Sequence, residues 1–472
     1  MVLHLDGAAR TPLVEQIVMA MRRQVADVFP PGTRVPSIRE FARTHHVSRF
    51  TVVEAYERLV ALGYLEARRG SGFYTAHAPD AKPAGAADRA APRGFDVAWM
   101  IRDVLEESND ILMAGAPWLP HEWLDQAGIR NTIRRLARNN GDHLLGYGHP
   151  AGYLPLRQQL QLKLSELGMA VPAEQIVLTH GTSQALDLAI RRLVRPGDAV
   201  LVDDPGYYNV FGYLRLHGAR LLGVPRNAHG PDVAALRRLA AEHAPKVYFT
   251  QTVMQNPTGT DMSPAIMYRV LQAAEELDLT IIEDDTYCDL QTTASPRLAT
   301  LDQLNRVIYV RSFSKTLSGS LRVGLIAARS DMAEDFINLK VLSCITTSLF
   351  AERLLYLILT EGHYRKYIEQ LRDRVDGARA GMLRLMKNVG MQVFAEPVSG
   401  NFVWARFPHI EDAASLSGTA RSEGVMLAPG AVFRPSLDPS PYMRFNVAFH
   451  ADPRLRRLLS RIAKVGPGRT AQ

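Results

Sequence analysis

Apolar residues recur along this chain in two alternating rhythms. Between residues 175 and 312, short runs rich in β-branched and aliphatic residues (QIVLT, AVLVDD, KVYFTQT, LTIIEDD and RVIYVRS) are separated by longer stretches with helical spacing, such as SQALDLAIRRLV. Strand-like runs alternating with a 3.6-residue period predict an α/β unit built on a largely parallel, doubly wound sheet. Beyond about Ile337 long amphipathic helices dominate, and NFVWARF and YMRFNVAF then return to strand patterning. A smaller C-terminal α+β lobe is expected there.

The first 76 residues follow another pattern. SIREFARTH puts Ile38, Phe41 and Ala42 on one helical face, and Ser48 is placed to cap a second helix whose Val52, Ala55, Tyr56, Leu59 and Leu62 form an apolar stripe. GYLEARRGSGFYTA then reads as two short strands around a turn. A helix-turn-helix followed by a β-wing needs this order, and the first turn of its second helix presents Ser48, Arg49 and Thr51 to a DNA groove. Between His77 and Gly94, HAPDAKPAGAADRAAPRG has no hydrophobic period and reads as a linker. The expected organisation is a DNA-binding module over 1–76, a linker over 77–94 and a large body over 95–472.

Composition narrows the class. At 472 residues, 47% hydrophobic, the chain is large enough for a substantial core and too apolar for global disorder. The net charge of +7 permits a polyanionic partner, and the region before the linker holds ten arginines against seven acidic residues. Two cysteines, Cys288 and Cys344, are too few for a disulfide framework or a cysteine-based metal site, and they suit a reducing compartment. No segment resembles a signal peptide or reaches the roughly 18 apolar residues of a membrane span, so a cytoplasmic location is expected.

The chemistry sits where apolar runs end, which in an open parallel sheet is the carboxyl edge where ligands bind. QIVLT leads through Gly181, Thr182 and Ser183 into a helix, an anion site of amides and hydroxyls. LTIIEDDTY ends on Glu283, Asp284 and Asp285, with Tyr287 just beyond. Such carboxylates call for a cationic partner; a metal lacks a completing His or Cys cluster, and a protonated heterocyclic nitrogen is the alternative. Asn256 lies in a turn fixed by Pro257 and Gly259, and Tyr207 offers a ring for stacking. Each alone reads as turn chemistry. Together with Lys315 of RSFSKTLSGSLRVG they describe pyridoxal 5′-phosphate: a phosphate, a ring hydroxyl, a ring nitrogen and an aldehyde for a lysine.

Two resemblances cover nearly the whole chain. PSIREFA, VSRFTVVEAYERL and GYLEARRGSGFY resemble the winged helix-turn-helix of the GntR regulators over about 11–76, which implies DNA contacts by Arg39, Ser48, Arg49 and Thr51, with Arg68 and Gly70 on the wing. Phe50 departs from the small or polar residue usual in that helix. YGHPAG, NPTG, DDTY and SFSKTLSGSLRVG resemble the fold-type-I aminotransferases over about 110–460. That likeness implies that Lys315 forms the aldimine, Asp284 pairs with the ring nitrogen, Tyr287 and Asn256 bind the ring hydroxyl and Tyr207 stacks. It also implies that Thr182, Ser183, Ser312 and Arg322 hold the phosphate, that Tyr147 reaches the phosphate of a second subunit in a homodimer, and that Arg444 grips a substrate carboxylate. Arg322 follows LSGSL where many relatives have Pro-Gly, and Asn209 supplies no second cation beside Tyr207.

The two halves in this order resemble the MocR subgroup of bacterial regulators. The resemblance implies a DNA-binding regulator, a head-to-tail dimer, that senses a carboxylate-bearing amino compound, or pyridoxal phosphate itself, through aldimine formation on Lys315. With all catalytic positions present, a working aminotransferase carrying a DNA-binding appendage stays open, as does a DNA-binding protein with an inactive body.

Overall fold

Caps written in the sequence delimit the helices of the first unit. Ser37 and Ser48, both in extended backbone, accept hydrogen bonds from the amides of Glu40 and Thr51 at 3.3 and 3.0 Å. The computed structural model describes residues 5–6, 11–27, 29–68, 71–76, 111–138, 145–293 and 295–464. Chain packing divides it into two units, Met1–Arg93 and Gly94–Gln472. The expected linker over 77–94 lies outside the described residues, as does Gly70.

The first unit contains α1 (Leu13–Asp27), α2 (Ile38–Thr44) and α3 (Arg49–Ala61), followed by the antiparallel hairpin β1 (Leu65–Arg68) and β2 (Gly72–Thr75). Ile17, Met21 and Val25 recur at every fourth position of α1 and pack with Phe41, Val52, Ala55 and Leu59. Tyr56 ties the pieces together: its ring meets Phe41 and Phe73 edge-on, and its hydroxyl donates to the Pro36 carbonyl at 2.9 Å. Replacing Tyr56 by alanine would open a void among all three helices and the wing, a loss of about 3–5 kcal/mol.

The second unit is built on an eight-stranded sheet of β3 (Ile176–Thr179), β4 (Ala199–Asp204), β5 (Arg220–Asn227), β6 (Gly230–Pro231), β7 (Val247–Thr250), β8 (Thr280–Asp284), β9 (Val307–Ser312) and β10 (Gly324–Ala327). Their order is β3-β10-β9-β8-β7-β4-β5-β6. The central strands β9, β8, β7, β4 and β5 run parallel, whereas β10 is antiparallel to both β9 and β3. Residues of β3, β7 and β9 are buried throughout, as expected when helices cover both faces of a sheet. The parallel strands end at Asp204, Thr250, Asp284 and Ser312, so one edge collects the chemistry.

The smaller lobe is an antiparallel sheet of β11 (Gln392–Val393), β12 (Phe402–Arg406), β13 (Ala428–Pro429) and β14 (Tyr442–Asn446), ordered β11-β12-β14-β13. A turn-containing segment, Leu112–Trp118, is knitted to it by backbone. Met426 N donates to Leu112 O, Gly115 N to Met426 O and Asn446 N to Ala114 O, at 2.7–2.9 Å. Asn446 Nδ2 adds bonds to the carbonyls of Ala116 and Trp118. A Cβ on Gly115 would lie 2.4 Å from Ala428 N, so glycine is required by this close approach. Among the described residues no helix is long and apolar enough to cross a membrane.

Candidate functional site

Strand alternation sorts the three consecutive acids at the end of β8. Glu283 turns into the body, where its carboxylate accepts from the Leu298 and Ala299 amides and the Thr252 hydroxyl; burial pushes it up to about 7. Asp285, just past the strand, pairs with buried Arg297 at 2.8 Å and accepts from Tyr309. Asp284 alone faces the sheet's carboxyl edge. Its Oδ1 accepts from Thr286 N and Oγ1 at 3.1 and 2.5 Å and its Oδ2 from Gln251 Nε2 at 3.1 Å, while burial pushes it up to about 6.

Asp284 opens onto a cleft of about 380 Å³, partly open to solvent. Nine residues expected from the sequence line it: Thr182, Ser183, Tyr207, Asn256, Asp284, Tyr287, Ser312, Lys315 and Arg322. Lys315 lies in the turn after β9, and burial, with help from Arg444 and Arg322 and against Asp284, pushes its amine down to about 8. At one end Gly181 starts the helix Gly181–Leu193 with φ +71 and no side-chain cap, leaving first-turn amides free. A Cβ there would meet Arg322 Nη2 at 3.0 Å. Arg322, itself at φ +50, donates from Nη2 to the His180 carbonyl at 2.9 Å. Ser312 Oγ bonds Ser314 Oγ at 2.9 Å, and Thr182 shares a 2.8 Å hydroxyl contact with Thr286. Hydroxyls, amides and one guanidinium therefore converge on a single anion-sized position.

Arg444 is buried at the other side, flanked by the rings of Phe402, Phe433 and Tyr208. It donates from Nη1 to Asn256 Oδ1 and from Nε and Nη2 to the Gly115 carbonyl. Asn256 Nδ2, wholly buried, has no partner among the described residues. Tyr207 hydroxyl is held by Asn209 Nδ2 at 2.8 Å. Tyr147 stands apart, 83% exposed and outside the lining of the cleft. Sequence reasoning missed Gln251, Thr286 and Ser314 as lining residues; the last two sit inside the DDTY and SFSK motifs, whereas Gln251 carried no signal beyond following a strand.

On the DNA-binding unit, Arg39 and Arg49 are exposed and have no partner among the described residues, and Phe50 is 77% exposed beside Arg49. Ser48 and Thr51 share a 2.8 Å hydroxyl contact at the start of α3. Arg68 is partly engaged, by Glu66 at 3.3 Å and over the ring of Tyr74.

Residues 112–462 match the family of class I and II aminotransferases, and residues 13–75 match the bacterial regulatory proteins of the GntR family. The chain belongs to the class I and II aminotransferase family, as one of its MocR-type regulators. It is 28% identical over 459 residues to an uncharacterized HTH-type transcriptional regulator, YdfD, of Bacillus subtilis, covering 93% of each chain. It is also 28% identical to the probable rhizopine catabolism regulatory protein MocR of Rhizobium meliloti, covering 90% of this chain and 88% of that one. The fold is that of LysN, the α-aminoadipate aminotransferase of Thermus thermophilus, with a TM-score of 0.71 and 27% identity over 77% of this chain and 94% of that one. This MocR-type regulator therefore joins a GntR-type DNA-binding module to a fold-type-I body, a family whose members depend on pyridoxal phosphate.

The cleft fits that cofactor on its own chemistry. An orphaned amide donor suits a ring oxygen, an acid held among hydroxyls suits a ring nitrogen, and the Gly181–Arg322 cradle suits a phosphate. Among the described residues no cluster of His, Cys, Asp and Glu could hold a metal.

Proposed function

We propose that this regulator binds pyridoxal phosphate in the cleft around Lys315 and uses it to sense a small amino compound carrying a carboxylate, converting occupancy into altered DNA binding. The observation that carries the reading is the convergence of a depressed lysine amine, a buried acid and the unpaired Asn256 Nδ2 in one cleft. Pyridoxal phosphate supplies, when bound, an aldehyde for amines and a ring that accepts electrons. The protein's residues do the rest. Lys315 offers Nζ, Asp284 holds a proton at the ring nitrogen, Asn256 and Tyr287 donate to the ring hydroxyl, and Tyr207 covers a ring face. Thr182, Ser183, Ser312 and Arg322 bind the phosphate.

Arg444 would take the carboxylate, a task for a two-pronged guanidinium rather than an ammonium. A ligand can shift the protein between states only by binding them unequally, and Arg444 has an internal partner to exchange for an external one. Exposed Tyr147 is available to a second subunit, in keeping with a homodimer. On DNA, Arg39, Ser48, Arg49 and Thr51 would meet the groove and its phosphates, with Arg68 reaching out from β1.

The test is spectroscopic. Pyridoxal phosphate added to the full chain should give a visible band that is absent in Lys315→Ala, and amino compounds that change the band should change the affinity for a DNA duplex selected by the protein. Lys315→Ala should still bind that duplex. A working aminotransferase is the second reading, favoured by an amine of about 8, matched to turnover near neutral pH. Steady conversion of an amino acid and a 2-oxo acid at ordinary enzyme rates would establish it.

A further inference from the structure

Gln251 stands directly after β7 and joins two residues that the cofactor reading assigns to different parts of the ring. Its Nε2 donates to Asp284 Oδ2 at 3.1 Å, and its Oε1 accepts from the backbone N–H of Asn256 at 2.8 Å. The side chain is buried, and the backbone N–H of Gln251 donates to Asp203 Oδ2 at 3.4 Å. Asp203 is fixed in turn by a buried ion pair with Arg226 at 2.8 Å and by the hydroxyls of Tyr248 and Thr250.

The amide has only one workable orientation. A backbone N–H can only donate, so the oxygen of Gln251 must face Asn256, which turns the NH2 toward Asp284. A donor at a carboxylate favours the ionised form. Asp284 needs such help, because burial and the neighbouring charge of Asp285 both oppose ionisation. The phenols of Tyr207 and Tyr287 also interact with it, as does the amine of Lys315, itself depressed by burial, Arg444 and Arg322.

We propose that Gln251 is a positioning residue for the cofactor: one amide keeps Asp284 ionised for the ring nitrogen and fixes the turn that presents Asn256 to the ring hydroxyl. The assignment to the ring rests on the pyridoxal phosphate reading above; the effect on Asp284 does not.

Gln251→Glu separates the two roles, since it keeps the acceptor for Asn256 and replaces the donor to Asp284 with a second acceptor. Gln251→Asn, one methylene shorter, cannot span both partners and serves if the glutamate variant fails to fold. In cofactor-free protein labelled at aspartate carboxyl carbons, with Asp284→Asn assigning the signal, either variant should raise the Asp284 titration midpoint by about one unit or more. In the loaded full chain, the dissociation constant for pyridoxal phosphate should rise about tenfold, and the pH at which the visible band changes should move. An Asp284 midpoint unchanged in both variants overturns the proposal, as does wild-type cofactor affinity in a variant whose midpoint has moved. If wild-type protein binds no pyridoxal phosphate, the cofactor reading fails alone, and the carbon titration still decides whether Gln251 governs Asp284.

Discussion

Arg444 Nη1 lies 2.6 Å from Asn256 Oδ1, and this contact decides which end of the Asn256 amide faces the cleft. Because the oxygen is claimed, Nδ2 is the end left free, a buried donor without a partner. Asn256→Asp would keep the arginine contact and remove the donor. We expect weaker binding of pyridoxal phosphate, by roughly tenfold to a hundredfold, as for loss of a hydrogen bond to a charged group. Absorption titration measures it, and unchanged affinity would mean that Nδ2 does not meet the cofactor.

Arg444→Lys tests the carboxylate assignment. Lysine preserves the charge but cannot reach Asn256 and Gly115 while also forking to a carboxylate. Spectral responses to amino acids should require on the order of tenfold to a hundredfold higher concentrations, whereas responses to simple alkylamines should hardly change. Equal losses for both classes would assign the arginine to folding instead.

The Lys315 amine sets a pH dependence. With a value of about 8 in the folded protein, about a quarter of the amine is neutral at pH 7.5, against about one part in a thousand for an ordinary lysine. The rate of cofactor attachment should rise with pH and level off above about 8. The sign for stability follows from proton counting: between about 8 and the ordinary lysine value the unfolded chain holds more protons at this group, so cofactor-free protein gains stability from it as pH rises through that window. An attachment rate still climbing steeply above pH 9 would contradict the depressed amine.

Adjacent acids should behave oppositely. Asp285→Asn leaves Arg297 buried without its counter-charge and should cost on the order of 3–5 kcal/mol, seen as a lower thermal midpoint. Asp284→Asn breaks no ion pair but leaves at least one buried donor facing another, so it should cost less, about 1–3 kcal/mol, while affinity for pyridoxal phosphate falls. Similar destabilisation by both would undo the division of labour along β8.

For DNA, Arg49→Ala should cost about 1–3 kcal/mol on a selected duplex and relax base preference, because an exposed arginine without a partner is free to reach a base edge. Arg68→Ala should chiefly lower the salt dependence of binding, by about one unit of slope per lost phosphate contact. Filter binding across a salt series distinguishes them.

Much of this was legible in the sequence because the deciding signals were local. Ser37 and Ser48 announced their helices, and the parallel strands β4, β7, β8 and β9, with β3 beyond them, were visible as uninterrupted apolar runs. Strand β5 was hidden by Gly223 and Pro225 within it, and β10 by its brevity and by its antiparallel insertion between β9 and β3, which no local pattern encodes. Helix α1 carried a four-residue apolar repeat that went unread. In the cleft, residues inside motifs were found, while Gln251 was not, because its role depends on Asp284, 33 positions away. Likewise Asp284 was singled out by its motif, whereas the partners of Glu283 and Asp285, on the other side of the pleat, lie 12 to 31 positions away and were not legible.

The carbonyl of Gly115 occupies Arg444 as a tethered competitor would. A carboxylate that took Arg444 through Nε and Nη2 would displace a piece of the chain's own backbone, and its measured affinity would then be that of an exchange rather than of filling an empty place. Under the proposed carboxylate role, selectivity would have a second source besides fit, because a ligand would have to bind Arg444 better than a buried peptide group does.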